Sequence, residues 1–472
     1  MKTLSFHQQA KAVAMFLAII LSGTFSQAQD ITGQWNGLLS VQGINLRLVF
    51  HINKSGEGYT STMDSPDQNA TGLPVATTTF NGSKISLAAP QMGLSYEGEF
   101  KTDSITGTFK QGPLSVPMTL KRTPAVVKAP NRPQEPKPPY PYRSEEVSFE
   151  NKAAGIVLAG TLTMPATGSN FTTVILITGS GAQNRDQEIM GHKPFLVIAD
   201  YLTRHGIAVL RYDDRGTAKS TGNFATSTTA DFAADAESAI AYLKTRKEIN
   251  QKKIGLIGHS EGGVIAPMIA ARSNDVGFIV LLAGSGLRGD ALLLLQQELI
   301  YRVSGIPETQ IAGILKNNAK VMDKVTSANG MVSLQEIIDF MTTLRAEFAG
   351  VVPGGISVDD YIKQYAVGMS SPWMQYLLRL DPAPTLEKVK CPVLAINGSK
   401  DLQVPPNENL SAISNALKKG GNNRVTTKEY PNLNHLFQTC ITGSPAEYAT
   451  IEQTFSPDVL KDLVEWISQT IK

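Results

Sequence analysis

Apolar and polar positions change their rhythm along the chain. From residue 30 to about 122 the apolar residues come in short alternating runs, such as Leu46-Arg47-Leu48-Val49-Phe50 and Ile105-Thr106-Gly107-Thr108-Phe109, punctuated by Gly, Asn, Asp and Pro. Period-two alternation marks strands with one buried face, and no stretch here holds helical spacing for three turns. Asn81-Gly82 lies between Thr77-Thr78-Thr79-Phe80 and Lys84-Ile85-Ser86-Leu87, a hairpin signal. Residues 29–122 therefore read as a small antiparallel barrel or sandwich. Nothing in this segment gathers titratable groups, and no chemistry is assigned to it.

Residues 123–143 hold seven prolines in 21 positions. That density favours extended polyproline II, so residues 123–145 read as a semi-rigid spacer between domains. Beyond it, short runs of buried, β-branched residues alternate with longer amphipathic stretches. Strands are expected over 174–178, 207–212, 253–258, 278–283 and 393–397. Between them, the helix over 194–205 opens on Pro194 and is stopped by Gly206, and Phe232, Ala236, Ile240 and Leu243 stripe the next one. Such alternation predicts an α/β domain over 146–472 with a doubly wound, mostly parallel sheet, whose ligands sit at the carboxyl ends of the strands. From 287 to about 388 the alternation gives way to helical patterns broken at Gly305, Pro307, Gly330 and 352–355. This stretch reads as a helical cap inserted between two strands.

The first 28 residues have another pattern. Lys2 and Lys11 precede an apolar run over 12–21, too short to span a bilayer comfortably, and Ser26-Gln27-Ala28 offers small residues for cleavage after Ala28. An exported protein, in the periplasm or secreted, is the expectation. The 472 residues carry 43 Lys+Arg against 41 Asp+Glu, a net charge of +2, which leaves no electrostatic footprint for nucleic acid. Two cysteines exclude a disulfide-dense scaffold, and their spacing excludes a paired-CxxC zinc site. Cys391 and Cys440 fall at opposite edges of the expected sheet, so no disulfide is predicted between them.

The chemistry concentrates at one turn. Lys253-Ile254-Gly255-Leu256-Ile257 runs into Gly258-His259-Ser260-Glu261-Gly262-Gly263, followed by a helical stretch. This is G-x-S-x-G between strand and helix, where a sharp turn exposes the central serine above the sheet. Ser260 is thus the candidate nucleophile. A serine hydroxyl needs a base, and in this arrangement the order along the chain is Ser, acid, His. Of the histidines after residue 28 (His51, His192, His205, His259 and His435), only His435 follows both the serine and the later strands. Asp401, in Gly398-Ser399-Lys400-Asp401 just beyond a strand end, is the expected acid, with Glu408 and Glu429 as weaker alternatives. Backbone N–H groups of Glu261 and of the Thr178-Gly179-Ser180-Gly181 turn, most simply Ser180, would form the oxyanion hole.

Taken together, Gly179-Ser180-Gly181, Asn184-Arg185-Asp186, Gly191-His192-Lys193-Pro194-Phe195, Arg211-Tyr212-Asp213-Asp214-Arg215-Gly216, the Ser260 turn and Asn434-His435 resemble a bacterial α/β-hydrolase. The likeness covers 146–472 and is nearest to exported carboxylesterases with an amino-terminal β domain. It implies hydrolysis of small-molecule esters through an acyl-enzyme, without metal or cofactor. Serine-aminopeptidase-like and prolyl-peptidase-like hydrolases border the same family, so an exopeptidase is the neighbouring alternative and a non-catalytic binding protein the distant one. Gly181 and His192 are expected to touch substrate, although His192 and Asp186 would equally serve to pin their loop. The Glu261 side chain either enjoys the helix N-terminus or binds a substrate amine. Leu292-Leu293-Leu294-Leu295 reads as cap core before acyl pocket.

Overall fold

The computed structural model describes residues 30–41, 44–66, 70–111, 114–123, 131–352 and 357–471. The expected export segment lies outside these residues. Two compact units divide after Val127.

The first unit is an antiparallel sheet of nine strands: β1 (Gly33–Val41), β2 (Ile44–Ser55), β3 (Gly58–Ser65), β4 (Ala70–Val75), β5 (Thr77–Phe80), β6 (Lys84–Ala89), β7 (Leu94–Lys101), β8 (Ser104–Gln111) and β9 (Leu114–Lys121). They follow the order β4-β3-β2-β1-β9-β8-β7-β6-β5, a barrel-like meander. The hairpin at Asn81-Gly82 joins β5 to β6, with Phe80 opposite Ile85. Alternation puts Trp35, Phe50, Tyr96 and Phe109 inside, each at most 1% exposed. Large side chains fill this interior, and the Tyr96 hydroxyl donates to the carbonyls of Ile105 and Met118. Burial without such acceptors would cost the hydroxyl its solvation.

The second unit holds eight strands: β10 (Arg143–Asn151), β11 (Ile156–Met164), β12 (Phe171–Ile177), β13 (Ala208–Tyr212), β14 (Ile249–His259), β15 (Phe278–Leu282), β16 (Val393–Gly398) and β17 (Val425–Tyr430). Their order is β10-β11-β13-β12-β14-β15-β16-β17. Only β11 runs antiparallel to its neighbours, β10 and β13; the remaining pairs are parallel. This is the α/β-hydrolase fold. One face packs against the helices Thr229–Leu243, Gly262–Ala270 and Pro406–Lys419, the other against Pro194–Arg204 and Pro457–Thr470. Because both faces are covered, β12 to β16 read as unbroken apolar runs. The alternating β10 escaped that pattern, since its burial switches residue by residue.

The insertion forms helices from Gly289–Val303 to Ala383–Leu386 around their own core of Val321, Met322, Ile337, Met341, Phe348 and Leu378. The breaks at Gly305 and Gly330 are left-handed turns. Among the described residues no helix is long and apolar enough to cross a membrane, and both cysteines are free.

The proline-rich segment departs from expectation. Residues 131–142 belong to the larger unit, where Arg132 and Gln134 hydrogen-bond to backbone groups between 190 and 455. The segment turns on itself, with the Glu135 N–H on the Arg132 carbonyl at 3.1 Å, and its polar side chains bind the neighbouring surface.

Candidate active site

Strand β14 ends on His259, and the helix Gly262–Ala270 begins three residues later. So abrupt a turn places Ser260 in the left-handed region at φ +54°. Its neighbours have no room for side chains: a Cβ on Gly258 would lie 1.9 Å from the Gly262 carbonyl oxygen, and one on Gly262 would lie 2.2 Å from that of Ile177. The strained turn is anchored by the Ser260 N–H on the Leu282 carbonyl at 2.9 Å and by the Gly263 N–H on the Ser260 carbonyl at 2.9 Å. Strain of this kind persists only where the surroundings over-determine it, and here they do.

His435 and Asp401 arrive from separate loops at the same end of the sheet. Asp401 follows β16 and is fully engaged: Oδ1 accepts from the backbone N–H groups of Gln403 (2.8 Å) and Val404 (2.9 Å), and Oδ2 meets His435 Nδ1 at 2.8 Å. The His435 loop is shaped by Asn434, whose Oδ1 accepts from the N–H groups of Leu436 and Gln438. Glu408 and Glu429 are exposed and take no part in this pair.

Ser260, His435, Ser180 and Glu261 all line one cavity of about 340 Å³. Leu292, Leu293, Trp373 and Leu377 of the cap line it together with Val264, Val404 and Leu436. Gln183, Gln403 and Tyr448 line the remainder, and Gln403 donates to the Tyr448 hydroxyl at 2.8 Å. The leucine cluster serves both ends anticipated for it: Leu293 and Leu294 pack on the cap core, while Leu292 and Leu293 face the cavity. Among the described residues Ser260 makes no hydrogen bond with His435; such contacts are often formed only around bound substrate.

A chain of hydrogen bonds joins the loops that meet here. The Gly179 N–H donates to Gln187 Oε1 (3.2 Å), Gln187 Nε2 lies 2.9 Å from His259 Nδ1, and His259 Nε2 lies 2.9 Å from the His435 carbonyl. The carbonyl can only accept, so His259 carries its proton on Nε2 and accepts from Gln187 on Nδ1. Burial pushes His259 down to about 3, which keeps the ring neutral. Gln187 was invisible to motif reading, and a glutamine at positive φ carries no sequence signal. The Gly179 N–H is committed to Gln187, while the N–H groups of Ser180 and Glu261 are given no acceptor among the described residues.

The Glu261 carboxylate points away from any amine-binding role. Its Oε1 accepts from Thr229 Oγ1 (2.7 Å) and from Trp373 Nε1 of the cap (2.9 Å), and burial pushes its pKa up. It thereby ties the turn to the cap. Trp373, more than a hundred residues away, had no motif to announce it.

One expectation for substrate contact needs correction. His192 is fully buried, with Nδ1 on Thr454 Oγ1 (3.0 Å) and Nε2 on the Tyr448 carbonyl (2.8 Å), so it pins two loops and does not face the cavity. Gly181 lines a small void beside Asp214 that shares Gly179 and Glu261 with the cavity. Asp186 binds Arg211, again as a pin.

Asp214 accepts from Thr178 Oγ1 (2.7 Å) and the Gln183 N–H (2.9 Å), yet its burial raises it to about 7. Raised above the ordinary 3.8, it adds stability that is complete below that value and is lost as pH rises through about 7. His259 and His192, lowered from 6.5 to about 3 and about 4 by burial, act oppositely: their contribution is complete above 6.5 and fades on acidification. Between pH 5 and 7 the two tendencies oppose. Asp214→Asn removes one of them, so its melting temperature should fall more steeply than wild type between pH 7 and 5. Parallel profiles would mean that Asp214 stays ionised in the folded protein.

Among the described residues no group of three or more His, Cys, Asp or Glu side chains is placed to hold a metal ion. A family model described as serine aminopeptidase, S33, matches residues 193–333, which span the Ser260 turn and the first part of the cap. The esterase EstD of Thermotoga maritima is 24% identical over 361 residues, 75% of this chain and 76% of that protein. A structure of an esterase from Pyrococcus furiosus covers 74% of this chain and 100% of its own at 15% identity and a TM-score of 0.43. The Est1E protein of Butyrivibrio proteoclasticus with bound ferulic acid covers 69% and 97% at 15% identity and a TM-score of 0.40.

Proposed function

We propose that this chain, an α/β-hydrolase by fold, is a serine carboxylesterase acting on small uncharged esters. The observation that carries the reading is the meeting, at one cavity, of Ser260 on its strained turn with His435, itself bonded to Asp401 at 2.8 Å. The similarity to an esterase over three quarters of the chain supports it.

Ser260 Oγ attacks the ester carbonyl carbon while His435 Nε2 takes the hydroxyl proton. Asp401 holds the proton on His435 Nδ1 and stabilises the imidazolium. The Ser180 and Glu261 N–H groups receive the oxyanion, each donor contributing roughly 3 kcal/mol to the barrier reduction. Collapse expels the alkoxide, protonated by His435, and leaves the acyl-enzyme. Water, deprotonated by His435, then releases the acid.

The cavity favours an ester over a peptide amine. An aminopeptidase needs a free carboxylate for the substrate ammonium, but Glu261 is the one carboxylate among the described lining residues. Bonds from Thr229 and Trp373 occupy it, and burial disfavours its charge. The positive amino terminus, apolar run and small-residue site support export of the mature chain from residue 29.

The test is hydrolysis of 4-nitrophenyl acetate, butyrate and octanoate by residues 29–472, beside a panel of aminoacyl 4-nitroanilides. Ester turnover without anilide turnover is expected. Anilide turnover without ester turnover would make the protein a peptidase.

A further inference from the structure

Part of the cavity wall comes from two loops outside the main sheet and its packed helices, the first closed by the Ile189–His192 bridge and the second carrying the short 3₁₀ turn Pro445–Glu447. Ile189 and Met190 come from the first, Pro445 and Tyr448 from the second. Met190 sits at φ +50° with its side chain 47% exposed, a conformation an ordinary residue keeps only under restraint. The Ile189–His192 bridge closes that turn, with the Ile189 N–H on the His192 carbonyl (3.0 Å) and the His192 N–H on that of Ile189 (2.9 Å), and two side chains then tie the loops to each other. His192 ties the loops from within through Thr454 and the Tyr448 carbonyl. Arg132 ties them from the proline-rich segment: Nε donates to the Gly191 carbonyl (3.1 Å), Nη2 to those of Met190 (3.2 Å) and Ala449 (3.1 Å), and Nη1 to that of Ile451 (2.7 Å).

Among the described ion pairs none involves Arg132, so its guanidinium is spent on carbonyl groups of both loops. A planar fork of five donors suits that task, and a lysine ammonium does not. Gln134 extends the strap, accepting from the N–H groups of Thr454 and Phe455 and donating to the Phe455 carbonyl.

We infer that Arg132, although outside the strands and helices of the hydrolase, is a positioning residue that sets substrate specificity by clamping the Met190 and Tyr448 walls of the cavity. Ser260 and Asp401 sit on the central sheet's own turns, which Arg132 does not touch. An acetyl ester engages the serine and little else, whereas a longer acyl chain must lie against the walls. The segment joining the two units thereby becomes part of the substrate-selecting apparatus.

This inference rests on the esterase reading, and the experiment separates the two. Active sites of wild type, Arg132→Ala, Arg132→Lys and Gln134→Ala are counted with a fluorophosphonate probe, and KM and kcat per labelled site are measured on 4-nitrophenyl acetate and octanoate. Arg132→Ala should raise the octanoate KM at least fivefold while acetate kcat/KM stays within twofold. Arg132→Lys should stay nearer to alanine than to wild type, and Gln134→Ala should move the octanoate KM at least twofold the same way. It also reports should Arg132→Ala not fold. Equal loss on both esters, or no change in fully labelled variants, would reduce Arg132 to a stability role and overturn the inference alone. A wild type that neither labels nor hydrolyses would overturn the esterase reading, and the specificity role with it.

Discussion

Ser260→Ala should lower ester kcat/KM by at least ~10⁴-fold, or roughly 5.5 kcal/mol of transition-state stabilisation, and abolish fluorophosphonate labelling. The loss is large because the acyl-enzyme forms on this hydroxyl, the one carried on the strained turn. The fold should tolerate the change, since alanine keeps the backbone in the same turn. Ser260→Gly adds a further expectation. At φ +54° a residue with a Cβ is held in a conformation that glycine adopts freely. Relief of order 1 kcal/mol should raise the melting temperature of the glycine variant by one to a few degrees above alanine, roughly, with both inactive. A stable but dead glycine variant would identify strain retained for activity. Wild-type turnover in Ser260→Ala would end the serine-hydrolase reading.

Asp401→Asn should cost about 10³- to 10⁴-fold in kcat with little change in KM. The geometry explains why the isosteric change is so damaging. Oδ1 accepts from two backbone N–H groups, those of Gln403 and Val404, so an asparagine must place its oxygen there. Its amide then faces His435 Nδ1 and donates to it. The ring must carry its own proton on Nε2, where it can no longer receive the proton of Ser260. Stability should hold, because the loop keeps its acceptor. Asp401→Ala is the contrast: it leaves two buried N–H groups unpaired and should unfold at lower temperature as well as lose activity. A kcat within tenfold of wild type for Asp401→Asn would remove Asp401 from the mechanism.

Much of this site is legible in the sequence. The buried strands β12 to β16 announce themselves because a sheet covered on both faces needs unbroken apolar runs, and the Gly258–Gly262 spacing announces the turn because backbone lies within 2.2 Å of where side chains would be. His435 could be reached by elimination, given few histidines. Asp401 was reachable from its place just past a strand end. Strand β10 was not, since its residues alternate along an edge, and neither was the anchoring of the proline-rich segment.

The sequence by itself determined the central strands β12 to β16, their order and the candidate groups at their carboxyl ends, because periodicity and turn chemistry are local properties of the chain; β10, β11 and β17 carry no such unbroken apolar run. Tertiary structure alone decided which partners the supporting polar side chains take. His192 became a buried pin, Glu261 a tie to Trp373, Gln187 a link from the Gly179 turn to His259, and Arg132 a clamp across two loops. Hydrogen-bond partners distant in the chain settle those roles, and such partners are chosen by packing. No residue type or spacing encodes them.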